Sequence, residues 1–300
     1  MKKNTLVPLD RSGRLLKKAT MYLSDMEAFL DDTPGSVMTL IDALPHADVS
    51  LKLKILPLLG TVGKDRALWP LFHLVKASAG DETVCRSAAV QLGLAASLSE
   101  DPEPLNTALI ENLNHPEAPV RSACALALGW EGNHRAVPAL MDHLRDPDRD
   151  VQAAVIAALS SVGDPHVFDF LTKRLESGHM EERRSILLNL WRFGEKINGV
   201  ERIYLNCLDR LSPELVPDIL SALTMIPYTP TIRAIYRRML GEKDPVIRRQ
   251  VLENLEALDP VEYEPLQEAL QGLLDDTDPR IRQAVIRLLR ENSAFNSFKT

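Results

Sequence analysis

Apolar positions in this chain recur in one pattern. A leucine is preceded by apolar residues three, four and eight positions upstream, with polar or small residues between them. The pattern is clearest in VRSACALAL (Val120 to Leu128) and again in VQAAVIAAL (Val151 to Leu159). Offsets of three, four and eight fall on one face of an α-helix. Eight leucines key the series: Leu59, Leu92, Leu128, Leu159, Leu190, Leu223, Leu255 and Leu289, spaced 31 to 36 residues apart. Four positions before each stand Ile55, Ala88, Cys124, Val155, Ile186, Ile219, Val251 and Val285. A self-similar period of that size marks a repeat array. One slot breaks the rule. Glu182, eight before Leu190, stands where the other repeats carry Leu51, Val84, Val120, Val151, Leu215, Ile247 and Ile281.

Upstream of each keyed segment lies a second apolar signal, an i,i+4 pair. The pairs are Leu40/Leu44, Leu71/Val75, Leu109/Leu113, Leu140/Leu144, Leu171/Leu175, Tyr204/Leu208, Tyr236/Leu240 and Leu270/Leu274. Between the two signals sit Asp48, Asp81, Asp148, Ser212, Asp244 and Asp278, residue types that cap helix N-termini by accepting free backbone N–H groups. Pro213, Pro245 and Pro279 follow at a first helical position. Glu117 and His179 hold the capping slot in the third and fifth repeats. Each repeat therefore predicts a helix, a tight turn and a second helix. One such hairpin cannot bury its own apolar faces, so the hairpins must stack. The expected fold is all-α, a right-handed α-solenoid of about eight hairpins over residues 33–292. An amphipathic helix over 14–32 covers its N-terminal end, and residues 1–13 and 293–300 are expected to be flexible.

The segments Asp146-Pro147 followed by VQAAVIAALSSVGD, and His115-Pro116 followed by VRSACALALGWEG, resemble HEAT repeats. The short subtype found in phycobilisome-lyase-like repeats is the most similar. The basic residue that follows the first valine of such units matches Lys52, Arg121, Arg183, Arg248 and Arg282, whereas Cys85, Gln152 and Val216 replace it elsewhere. The resemblance covers about residues 33–292 and implies an armadillo-like helical solenoid. It also implies that these arginines bond to loop aspartates of neighbouring repeats. It implies no single activity, because the family includes scaffolds, transport receptors, phosphatase subunits, bilin lyases and a few DNA glycosylases. HEAT-like metal hydroxylases carry repeated His-Glu dipeptides, and this chain has none.

Composition narrows the functional classes. The net charge of −7 argues against generic nucleic-acid binding, which relies on a basic surplus. The three cysteines have no CxxC spacing, and Cys85 and Cys124 fall in or beside the apolar register, where they read as small hydrophobes. Reduced thiols, no apolar leader and no apolar run of membrane-spanning length together lead us to expect a cytoplasmic protein with no membrane association. The seven histidines lack metal-ligand spacing, and no nucleophile or phosphate-loop motif is present. No catalytic residue, metal or cofactor is expected.

Solenoids offer long inner surfaces to extended partners. On the second helices, the slots six and two before and one after each key leucine lie off the core register. They are small or apolar in the middle of the array and charged towards its end. The expected partner groove comprises Leu126, Trp130, Ala157, Arg184, Leu188 and Trp191, rimmed by Arg249, Glu253 and Arg287. The expected function is a non-enzymatic protein-protein interaction scaffold or adaptor. A bilin-lyase-like or other protein-modifying enzyme subunit, and a nucleic-acid-binding array, are the alternatives.

Overall fold

The computed structural model of the protein describes residues 11–195 and 197–297. Among these residues all regular structure is helical and there is no strand. No helix among them is long and apolar enough to cross a membrane. They divide into two compact units at Asp164 and Pro165.

The first unit contains α1 (Arg11–Ser24), α2 (Met26–Asp31), α3 (Thr33–Ala43), α4 (Val49–Val62), α5 (Asp65–Ala77), α6 (Glu82–Ser97), α7 (Glu103–Asn112), α8 (Ala118–Glu131), α9 (Val137–Asp142) and α10 (Arg149–Val162). From α3 onward they pair into four hairpins. The second unit contains α11 (Pro165–Ser177), α12 (Met180–Asn189), α13 (Val200–Arg210), α14 (Val216–Leu223), α15 (Pro230–Leu240), α16 (Pro245–Glu256), α17 (Pro260–Tyr263), α18 (Gln267–Gln271) and α19 (Pro279–Ser297). Here the four hairpins are α11/α12, α13/α14, α15/α16 and α17–α18/α19. Second helices pack on second helices, in the order α4, α6, α8, α10 within the first unit and α12, α14, α16, α19 within the second. This is the stacking of an all-α solenoid.

The N-terminal amphipathic segment forms two helices rather than one. Asp25 interrupts it, because its carboxylate accepts the Ala28 N–H and starts α2 afresh. Tyr22 and Phe29 close the angle edge to face, with ring centroids 6.2 Å apart. Helix α1 already begins at Arg11 and packs on α3 and α4. At the other end α19 continues to Ser297, past the expected end of the array at residue 292. Residues 1–10 and 298–300 of the two expected flexible ends lie outside the described residues.

The repeat register governs burial. The slot four before each key leucine is at most 1% exposed in all eight repeats, and so are the first seven key leucines. The eighth repeat departs from the pattern. Leu288 is fully buried and Leu289 only half-buried, while Ile286 and Leu274 are each 39% exposed. Among the described residues no further hairpin lies against that face, so the slots that are interior elsewhere meet solvent here. The capping residues Asp48, Asp81, Asp148 and Asp244 accept N–H groups of Leu51, Val84, Val151 and Val246, and Asp278 accepts that of Arg280. The His179 Nδ1 accepts the Glu182 N–H at 3.3 Å. Ser212 and Glu117 make no such bond, and Ser212 opens a short 3-10 turn ahead of α14 instead.

Glu182 has a specific partner. It is buried, and Arg174 of α11 reaches it with two nitrogens, at 2.7 and 2.6 Å. The carboxylate thus exchanges water for a forked, charge-assisted pair within its own hairpin. Gly178 in the intervening turn leaves room for it, since a Cβ there would stand 2.7 Å from the Glu182 Oε2.

The slot one after each key leucine also departs from expectation in the first unit. Gly93, Gly129 and Ser160 do not line an open surface but are buried. A Cβ on Gly129 would stand 2.5 Å from the Ala158 Cα, so α8 and α10 touch backbone to backbone there.

Truncating Leu128 to Ala should cost about 3 kcal/mol, the usual penalty for a buried leucine, whereas Leu289→Ala should cost about 1 kcal/mol. Urea unfolding of the two variants checks this, and equal losses would refute the register. Gly129→Ala should lower the urea midpoint although alanine is the better helix former by about 1 kcal/mol, because the added methyl pushes α8 off α10.

Candidate partner-binding surface

In the first unit the expected groove residues lie on α8 and α10. Ala118, Ser122, Leu126 and Trp130 are each four residues apart, so they form one line on the helix. At about 1.5 Å per residue the line is roughly 18 Å long. Leu126 is half-buried and Trp130 is 51% exposed. Gly93 of α6 lets Trp130 lie close to its neighbour, since a Cβ on Gly93 would stand 2.5 Å from the Trp130 Cβ. Ala157 on α10 is half-buried beside it. A recess of about 110 Å³ at the amino end of α8 is lined by Ala118, Pro119, Ser122, Ala123 and Leu126, with Glu82, Arg86, Asp148 and Asp150. The first unit therefore brings Leu126, Trp130 and Ala157 onto adjacent second helices.

The second unit carries the remaining expected residues. Leu188 on α12 is 38% exposed, and Trp191 follows in a 3-10 turn, half-buried. The Trp191 indole N–H donates to the Leu188 carbonyl at 3.0 Å, and the Arg192 guanidinium stands 4.6 Å from the ring centroid. Arg184 of the groove and Arg249 and Arg287 of the rim each have a carboxylate partner. Arg184 meets Asp218 of α14 at 3.0 Å and Glu181 at 3.3 Å. Arg249 lies 3.7 Å from Asp278, and Arg287 reaches Glu256 at 2.5 Å. The ties to Asp218, Asp278 and Glu256 join one second helix to the next or to its cap, whereas the tie to Glu181 stays within α12. Glu253 is exposed on α16. The sequence reading missed Met225, which is 54% exposed and lines, with Trp191, Val200, Ile226 and Pro227, a cavity of about 670 Å³. Its signal was available, because Met225 stands two after Leu223 as Trp130 stands two after Leu128.

The arginine ladder is internal. The Arg121 Nε and Nη2 donate to both Asp146 oxygens at 2.8 Å, while Nη1 donates to the carbonyls of His115 and Pro116. Arg248 repeats the arrangement with Asp276 and with the carbonyls of Glu242 and Lys243. Gln152 and Arg282 donate to the loop carbonyls of Asp146 and Asp276, and Arg183 to that of Glu176. Each guanidinium of the Asp-bearing pairs thus ties its own turn to the turn of the next hairpin, and these pairs are nearly buried. Burial by itself would raise the Asp146 carboxyl. The hydrogen bonds from Arg121 and the Asp148 N–H, with the Arg121 charge, outweigh burial and hold it below its ordinary value. Asp276 is lowered in the same way by Arg248 and the Asp278 N–H. The three thiols move oppositely. Burial pushes Cys85 and Cys207 up to about 11 and Cys124 to about 12, which keeps them protonated and unreactive at neutral pH.

Residues 106–191 match the family model for HEAT repeats. That match takes in α8, α10 and α12, the helices that carry Leu126, Trp130, Ala157, Arg184 and Leu188, and ends on Trp191. No curated protein matches the chain. Among solved structures, it is similar to the complex of CpcE and CpcF of phycocyanin lyase from Nostoc sp. PCC7120, with 21% identity over 75% of this chain and 93% of that one, at a TM-score of 0.42. An engineered protein shares 20% identity over 94% of this chain and 84% of that one, at a TM-score of 0.38. Human deoxyhypusine hydroxylase in complex with glycerol shares 17% identity over 94% of this chain and 97% of that one, at a TM-score of 0.30.

The lowered carboxyls link stability to pH. A group whose folded value lies below its unfolded value, about 3.9 for aspartate, stabilises the fold above that value. The contribution fades as pH falls through the folded value. Stability should therefore drop below about pH 4, and Asp146→Asn should flatten that acid limb while costing about 3 kcal/mol at neutral pH by leaving Arg121 without its counter-charge. Urea titrations between pH 3 and 7 check this, and an acid limb unchanged in Asp146→Asn would remove the link.

Proposed function

We propose that these HEAT repeats form a non-enzymatic scaffold that binds a protein partner across the exposed line of its second helices. One observation carries this reading. Trp130 is 51% exposed, and Leu126 accessible, on a helix whose core side chains Val120, Cys124, Ala125 and Leu128 are fully buried. An exposed tryptophan beside an aliphatic side chain, on a rigid helix, is the composition of a binding hot spot. Leu188, Trp191 and Met225 give the second unit a comparable apolar patch. The internal pairing of Arg121, Arg184, Arg248 and Arg287 supports a protein partner over a nucleic acid, since these cations already have carboxylate partners. The raised, buried thiols support a binding role over nucleophilic chemistry.

A photo-crosslinking amino acid at Trp130 tests the reading in the native cell. We expect a discrete cross-linked protein band. It should be lost in Leu126→Asp, with the purified variant retaining its helical circular dichroism. Leu188→Asp and Trp191→Ala ask the same of the second unit. Retention of every specific band by all three variants would reject the reading.

A further inference from the structure

The recess at the amino end of α8 has a charge imbalance. Its lining holds three carboxylates, Glu82, Asp148 and Asp150, against the single guanidinium of Arg86. Asp148 is committed to the helix, because its carboxylate accepts the N–H groups of Asp150 and Val151. Glu82 and Arg86 form a loose pair at 3.4 Å, with side chains 78% and 62% exposed, so water and other cations compete freely for both. Asp150 is exposed on the first turn of α10. Acids on a first helical turn complement the helix dipole, which accounts for their sign but leaves their outer oxygens open to solvent. In the second unit Arg184 pairs with Asp218 and Arg287 with Glu256 across neighbouring second helices. The first unit thus keeps surplus negative charge beside an apolar floor.

We propose that this recess accepts an aliphatic side chain of a protein partner whose adjacent residue is lysine or arginine. The aliphatic group packs on Leu126 and Pro119, and the cation lies between Glu82 and Asp150. The proposal rests on the partner-binding reading above and specifies the partner's chemistry. The size of the recess, about 110 Å³, suits one side chain and excludes a ring system of cofactor size. The charge selects a cationic neighbour, because an acidic one would meet three carboxylates against one guanidinium. From Ala118, at the far end of the recess lining, to Trp130 the line on α8 is roughly 18 Å, the reach of about five extended residues. Such a segment would cross the helix with its basic end at the recess and its far end on the indole.

Selection of a random heptapeptide phage library on the intact protein tests this. The same library is selected on Leu126→Ser and on the double variant Glu82→Lys with Asp150→Lys, each first shown to unfold at the wild-type urea midpoint. The expected result is a consensus of a basic residue beside an aliphatic one, absent from both variants. A fluorescein-labelled consensus peptide should bind the charge-reversed protein about tenfold more weakly or worse, and wild type more weakly as salt rises. A basic-aliphatic consensus that survives charge reversal overturns the proposal. Peptides that need Leu126 but carry no basic residue also overturn it, while leaving the partner surface intact. No enrichment, or enrichment indifferent to Leu126→Ser, removes the recess and the surface reading in its first unit together.

Discussion

Everything in this fold follows from the inability of one helical hairpin to cover its own apolar face. The second helix of each repeat carries a wide stripe keyed on a leucine, and the stripe is buried only when another hairpin lies against it. Side chains three and four before the key leucine are at most 1% exposed in the first seven repeats, and Ile286 and Leu274 surface where no further hairpin is described. Burial, helix order and even the departures from the pattern are consequences of that one requirement. The arginine–aspartate ties at the turns act on top of it. They link successive turns and fix which turn lies beside which, but the stacked leucines supply the apolar area.

The sequence was most legible where the repeat averaged over many instances. Eight hairpins, their core slots and most of their caps could be read from spacing, because each slot was sampled eight times. It was least legible where one residue answered a local demand. Glu182 breaks an apolar column because Arg174, eight positions earlier and one helix back, meets it there, and no repeat average can reveal a partner unique to one hairpin. The slot after the key leucine looked like surface, since small residues suit either exposure or close approach. Gly129 against Ala158 shows that closeness was the reason. The pairing of the charged residues was equally out of reach. Composition shows arginines, but only coordinates show that Arg184, Arg249 and Arg287 are already engaged.

The same distinction organises the surface. In the second unit Arg184, Arg249 and Arg287 are paired with carboxylates, and Leu188, Trp191 and Met225 are accessible apolar side chains. In the first unit small residues in close contact add to the Arg121–Asp146 tie, and Glu82 and Asp150 are left beside Leu126. A surface that serves packing with one residue type can leave another for recognition, and α8 does so along a single line of four side chains.

Repeat chains of near-identical hairpins face a hazard in folding, because any second helix offers a plausible surface to any first helix. The Glu182–Arg174 fork restricts that freedom for one hairpin. If α12 collapses onto a foreign first helix, its carboxylate enters an apolar interface with no guanidinium to meet it, and that mispaired state is raised by several kcal/mol. The one polar flaw in an otherwise greasy column thereby works as a label. It tells this hairpin from its look-alikes before the stack has closed.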